Sequence, residues 1–295
     1  MLNAYMSSGP PYYPPPPPSQ PPEDPPRREP FQDYFMPQPQ PRQTSSRSNG
    51  GLLGGLAAGA AVLFKFGVFK TLLTLLLSFG LYWAVIGPWA AAGLVAMILV
   101  HEMGHVIEIR RQGMQASAPL FIPFFGAAIF QRQHPTDALK QAQIGIAGPL
   151  AGTVGATAAF VIYGTTHSPI ILWWAYIGFL INLFNLIPIG MLDGGWILAV
   201  VSKWFQIVGL VLLVLAFLVL PQVGVPLNPI VLIIVLMGLP AIMERFRNDR
   251  LPYYQSVPVS ARYAMGAAWL LLVAYLGFAW LETHELLSSA VSALR

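Results

Sequence analysis

The chain has 295 residues, of which 55% are hydrophobic and only 9% charged, with a mean hydropathy of +0.60 and a formal net charge of +4. Soluble domains carry roughly 25% charged residues, so this composition excludes an ordinary soluble globular protein and points to the bilayer as solvent. The small positive charge sits beside apolar segments, which reads as topology marking rather than a nucleic-acid surface, and the absence of cysteine leaves only His and carboxylates for any zinc site.

The first 50 residues hold 15 of the 28 prolines, five of them consecutive at 14–18, with four acidic and four basic residues and no apolar period. Such a stretch cannot bury enough surface to offset the entropy of ordering, so residues 1–50 are predicted to be a disordered, partly polyproline II tail. The tail reads as a solvated spacer or as a ligand for a proline-recognising partner. It lacks the basic start, short apolar stretch and small-residue cleavage site of a signal peptide. Residues 51–65 are apolar but short of the roughly 20 residues that a span needs, and are expected to be interfacial or to extend the next helix.

Seven apolar segments follow, at 66–86, 89–109, 143–163, 169–187, 195–220, 228–243 and 263–281. The fold class they predict is an all-α polytopic membrane protein of about six to seven transmembrane helices. A membrane core is expected over 66–204, with additional transmembrane helices and a short C-terminal tail over 205–295. Lys65, Lys70, Arg110, Arg111, Lys140, Arg245, Arg247, Arg250 and Arg262 fall on one side of this arrangement, whereas the loops around 87–88, 165–168 and 221–227 contain no Lys or Arg. The positive-inside rule therefore puts the N-terminus in the cytoplasm. The expected location is the plasma (inner) membrane of a prokaryote.

Within the second segment stands His101-Glu102-Met103-Gly104-His105. Residues four apart share a helix face, so both imidazoles can reach one zinc ion, with Glu102 beside them as the base for an activated water. H-E-x-x-H also occurs by chance on polar helix surfaces, but three ionisable groups inside a span are too costly to be ornamental.

Two histidines need a third ligand. Glu108 shares their face, yet seven residues place it about 10.5 Å along the axis from His101, which suits an outer hydrogen bond or an interfacial charge beside Arg110 and Arg111. Arg111 stands where the longer zinc motif requires a third histidine. His134 lies beside Pro135 in a loop and reads as solvated. Asp193 is the only carboxylate between Asp137 and Glu244; it reads as the third ligand, aimed by Gly194 and Gly195, with a helix N-cap as the alternative role.

On these residues the chain resembles the site-2 protease family of intramembrane zinc metalloproteases. The resemblance covers roughly 66–203 and rests on His101-Glu102-Met103-Gly104-His105 together with an N-x-x-P-x-x-x-x-D-G pattern read as Asn185, Pro188, Asp193 and Gly194. Gly148-Pro149 resembles a further family element; Gly152 stands where many relatives have Asn, so the polar group there is absent or supplied by Asn182 or Asn185. The resemblance implies one zinc per chain held by His101, His105 and Asp193, Glu102 as general base and then proton donor, and Asn185 as an orienting or oxyanion group, its alternative being to cap broken backbone. It implies proteolysis of a transmembrane protein or peptide, with release of a cytoplasmic fragment. The alternative is a non-catalytic membrane binding or chaperone protein that keeps the fold.

Residues 117–126 are apolar and aromatic but interrupted by Pro119, Pro123 and Gly126. They are expected to form a re-entrant loop or hairpin near the active site, either pairing its edge with an unwound substrate or simply packing over the site. No insert of domain size separates Arg111 from Asp193, so substrate choice is expected to use the membrane part, the loops, the proline-rich tail or other proteins.

Overall fold

The computed structural model describes residues 67–124, 126–129, 133–223 and 229–292. The expected disordered tail at 1–50 and the interfacial stretch at 51–65 lie outside these residues.

Gly87, at φ 84°, separates helix α1 (Val68–Ile86) from α2 (Pro88–Arg111). Glycine takes that left-handed backbone without a Cβ penalty, and Pro88 then starts the next helix where its missing N–H is no loss. The chain thus reverses direction within one residue. After the loop, α3 (Ala138–Thr166) begins at Asp137, whose carboxylate accepts the Lys140 backbone N–H at 2.9 Å. The α4 helix (Pro169–Asn185) again opens on a proline. There follow α5 (Asp193–Ala199), α6 (Trp204–Val219), a 3-10 turn (Leu220–Val223), α7 (Pro229–Arg247), the single turn α8 (Pro252–Gln255) and the long α9 (Val259–Ser292).

The centre of the bundle is α3, which packs against α2 on one side and α4 on the other, with α5 resting on it and α9 closing over α4. Met97, Ala156, Ala175, Phe179 and Leu276 are buried at this junction. Outward-facing positions are apolar instead of charged: Leu72 and Leu76 on α1, Val211 and Leu215 on α6, and Leu271 and Phe278 on α9 are all exposed. Large apolar side chains on this scale belong against lipid, not water.

Among the described residues, four helical stretches are long and apolar enough to cross a membrane: Phe69–Ile86, Pro88–Arg111, Ala138–Thr166 and Val259–Ala290. Pro169–Asn185 and Trp204–Val219 are apolar but shorter. The apolar segment read at 195–220 is not one helix. It divides into α5 and α6 at 200–203, where Lys203 leaves the apolar run to pair with Asp249 at 2.8 Å.

The proline-interrupted stretch between α2 and α3 folds into strands β1 (Leu120–Ile122) and β2 (Gly126–Ala128), antiparallel, with Phe121 opposite Ala127. Hydroxyl groups of α1 satisfy the neighbouring backbone: Thr71 Oγ1 donates to the Pro119 carbonyl, Thr74 Oγ1 accepts from Phe121 N, and Tyr82 Oη accepts from Phe124 N. Inside a bilayer such backbone groups have no water to turn to. The hairpin is thereby tied to α1, with Phe121 buried among Tyr82, Val95 and Ile98.

Candidate metal centre

Helix α2 brings His101 and His105 to one face, one turn apart. Their Nε2 atoms are 3.2 Å from each other. Asp193, the first residue of α5, closes a triangle: its Oδ2 is 3.1 Å from His101 Nε2 and its Oδ1 is 3.3 Å from His105 Nε2. All three side chains are buried. The capping role open to Asp193 is not taken, because Leu192 is the N-cap and no side chain caps α5.

Outer partners decide which ring nitrogens carry protons. His105 Nδ1 is 2.8 Å from the Ile144 carbonyl, which can only accept. His101 Nδ1 is 2.8 Å from Asn182 Oδ1, and the orientation of that amide is set by its Nδ2, which donates to the Gly178 carbonyl at 2.7 Å. Both Nδ1 atoms therefore carry a proton, and both Nε2 atoms face the carboxylate. Asp193 Oδ2, buried, receives no hydrogen bond. Three potential ligand atoms converge in a buried cluster, an arrangement that a cation stabilises. Their separations match the about 3.3 Å edge of a tetrahedron whose bonds are about 2.0 Å, the zinc–nitrogen and zinc–oxygen length. The residues fit zinc, and all three ligand atoms lie within 4.8 Å of one another.

Glu102 is buried beside this triangle, within Coulombic reach of both imidazoles and of Asp193. Glu108 is not at the centre. Arg111 grips it with two hydrogen bonds of 2.6 and 2.8 Å, and Gln112 adds a third of 2.8 Å, which is the interfacial role. His134 is exposed. Asn185 turns back on its own helix, donating from Nδ2 to the Ile181 carbonyl at 3.0 Å.

Close approach depends on α3 being smooth where the site lies. A Cβ added at Gly148 would overlap the His105 ring, and one added at Gly152 would overlap the Asn182 amide. These positions are four apart, hence on one face of the helix. Of the alternatives left by glycine at position 152, the structure takes Asn182: its amide occupies the space that any side chain there would fill.

Four side chains donate to backbone carbonyls of α5 and of the turn that precedes it. Trp269 Nε1 donates to Leu186, Trp196 Nε1 to Gly190, Gln206 Nε2 to Gly195 and Arg245 Nε to Ala199, at 2.9, 3.1, 2.8 and 2.9 Å. Sequence reasoning missed this set. Gln206 and Arg245 are polar residues within or at the end of apolar runs, which was the available signal; the two tryptophans gave none.

Residues 89–168, which contain His101, Glu102 and His105, match Peptidase family M50. Rip3 of Mycobacterium tuberculosis, which carries a zinc-metalloprotease name, is 33% identical over 125 residues, covering 39% of this chain and 30% of that protein. The zinc metalloprotease MJ0392 of Methanocaldococcus jannaschii is 27% identical over 129 residues, 42% of this chain and 36% of the relative. The matches thus span about a third of the length of these curated relatives. A solved site-2 protease from Methanocaldococcus jannaschii aligns with a TM-score of 0.39 at 18% identity, over 62% of this chain and 89% of that one. The motif histidines and Glu102 therefore lie in a Peptidase family M50 domain, which this chain carries at residues 89–168.

Proposed function

We propose that the chain is an intramembrane zinc endopeptidase that cuts membrane-embedded segments of other proteins and releases their cytoplasmic parts, in signalling or quality control. One observation carries this reading: two Nε2 atoms on a helix of spanning character converge with the Asp193 carboxylate in a buried cluster, with Glu102 adjacent in sequence to a ligand. Zinc held there supplies Lewis acidity, acidifying a water and polarising a peptide carbonyl. Glu102 takes the proton of the attacking water as the new C–O bond forms, and returns it to the amine nitrogen as the C–N bond breaks. Asn185 is the candidate donor to the substrate carbonyl, exchanging its bond to Ile181.

A helical substrate hides its peptide bonds, so it must be held extended. The hairpin is the element we assign to this task, with β2 as the pairing strand, since α1 hydroxyls already engage the backbone around β1. Arg110, Arg111, Lys140 and the cluster from Arg245 to Arg262 support a cytoplasmic position for the metal end of the bundle and for the N-terminus, in the plasma membrane of a prokaryote. The partners are then a transmembrane substrate and the surrounding lipid, not nucleic acid. The tail at 1–50 is assigned to solvent or to a proline-recognising partner, and 66–204 to the catalytic core.

A binding or chaperone protein with a structural metal needs no buried base, so Glu102 favours catalysis. Purified Glu102→Gln, incubated with a panel of transmembrane peptides, is expected to keep about one zinc per chain while cleavage falls by roughly 10²–10⁴-fold, the contribution of a positioned base. Cleavage at an unchanged rate would overturn the mechanism.

A further inference from the structure

His101 and His105 are held by different means. His105 leans on a backbone carbonyl, that of Ile144, which no side-chain change removes. His101 depends on one side chain, the amide of Asn182, which lies in the last turn of the apolar helix α4 with none of its surface exposed. A buried amide in such a helix is costly unless both its ends are used. Here the Nδ2 end is bonded within its own helix, to Gly178, so fold-internal needs consume the donor alone. Among the described residues, the acceptor's partner is His101 Nδ1. The space for the amide exists because position 152 on the facing helix is glycine, where any Cβ would overlap it.

We propose that Asn182, admitted by Gly152, is the positioning residue of the metal centre: its carbonyl oxygen fixes His101 as the Nδ1–H tautomer and so presents the Nε2 lone pair to the metal. This rests on the metal reading of the trio above. Without the acceptor, the ring is free to rotate or to move its proton to Nε2, and either change withdraws a ligand. Outer partners of this kind are worth roughly 10–100-fold in metal affinity.

The test compares full-length wild type with Asn182→Leu, Asn182→Asp and Gly152→Ala, by zinc affinity in chelator competition and by the nitrogen resonances of His101 in metal-free protein. Asn182→Leu removes the acceptor at similar volume and should weaken zinc binding by roughly 10–100-fold, with loss of the Nδ1–H signature. Asn182→Asp keeps an acceptor facing Nδ1 and should bind zinc better than Asn182→Leu. A purely structural role gives the opposite order, because a buried carboxylate disturbs a membrane helix more than leucine does. Gly152→Ala displaces the amide and should reproduce the leucine phenotype, and in an Asn182→Ala background it should cost little more; it serves equally if Asn182→Leu does not fold. Leucine binding as tightly as wild type, or aspartate no better than leucine, overturns the proposal. Should wild type bind no zinc, the metal reading fails, whereas the His101 resonances still decide what Asn182 does.

Discussion

At the scale of single residues, the centre separates groups that hold a metal from groups that merely lie near it. Asp193 supplies the carboxylate of the triangle, so Asp193→Asn should lose zinc by more than the roughly 10–100-fold expected for an outer partner. Glu108 spends its carboxylate on Arg111 and Gln112, so Glu108→Gln should retain zinc. Metal content after dialysis against a weak chelator checks both, and zinc retained in the first but lost from the second would reverse the assignment. The two histidines and Glu102 were legible in the sequence because helical spacing is local and rigid, and Asp193 because a lone acid in a long apolar stretch has few uses. Asn182 was legible only as one of two alternatives. Choosing it over Asn185 needs the rotation of α4 about its axis, which hydropathy does not give.

At the scale of elements, the position of α5 relative to α2 is what turns two histidines and a distant aspartate into one site. That position is maintained by donors aimed at the turn between α4 and α5 and at the two ends of α5 itself. Trp269→Phe keeps an aromatic ring but removes the donor to Leu186, leaving a buried carbonyl unpaired at a cost of about 1–3 kcal/mol, to which the smaller ring adds lost packing. The variant should melt earlier in detergent and bind zinc more weakly; an unchanged melting temperature would show that the carbonyl finds another partner. At the outer end of the same assembly, Lys203 and Arg245 both grip Asp249, at 2.8 and 2.7 Å, and Arg245 also stacks on Tyr254, 3.8 Å from the ring centroid. Lys203 first, and Arg245 with it, hold the Asp249 carboxyl below the usual carboxylate range. A lowered native pKa stabilises the fold above the unfolded value, and that contribution is lost as pH falls toward the native one. Wild type should therefore exceed Asp249→Asn in melting temperature at pH 7, with the gap closing below about pH 4, the ordinary carboxylate value. These cross-links escaped sequence reasoning for the same reason that 195–220 read as one span: hydropathy registers that Lys203 interrupts an apolar run, not that a partner waits for it forty-six residues away.

At the scale of the whole molecule, the helices sort chemistry by depth. The C-terminal end of α2, the start of α3, the end of α7 and the start of α9 carry Arg110, Arg111, Lys140, Arg245, Arg247 and Arg262, and the metal centre lies within about three turns of Arg111 on α2. Among the described residues, the opposite ends, where Trp174 Nε1 bonds the Trp89 carbonyl and Tyr176, Trp280 and His284 group their rings, hold no Lys or Arg. An amphipathic aromatic group at one end and cations at the other are the marks of two different membrane–water interfaces. The protein offers a direct way to read them, since it has no cysteine of its own. Ser256→Cys, exposed between α8 and α9, reports the basic end, while Thr165→Cys and Ser288→Cys, exposed near the far ends of α3 and α9, report the other. In intact cells a membrane-impermeant maleimide should label Thr165→Cys and Ser288→Cys and spare Ser256→Cys until the membrane is opened. In the proposed orientation water and zinc would reach His101 from the cytoplasm, so product ends mapped by mass spectrometry should fall inside the substrate's span, toward its cytoplasmic side. Labelling in the reverse order would invert the topology and require the centre to face the outside; cuts confined to a soluble loop would leave the topology standing and remove the intramembrane site of action.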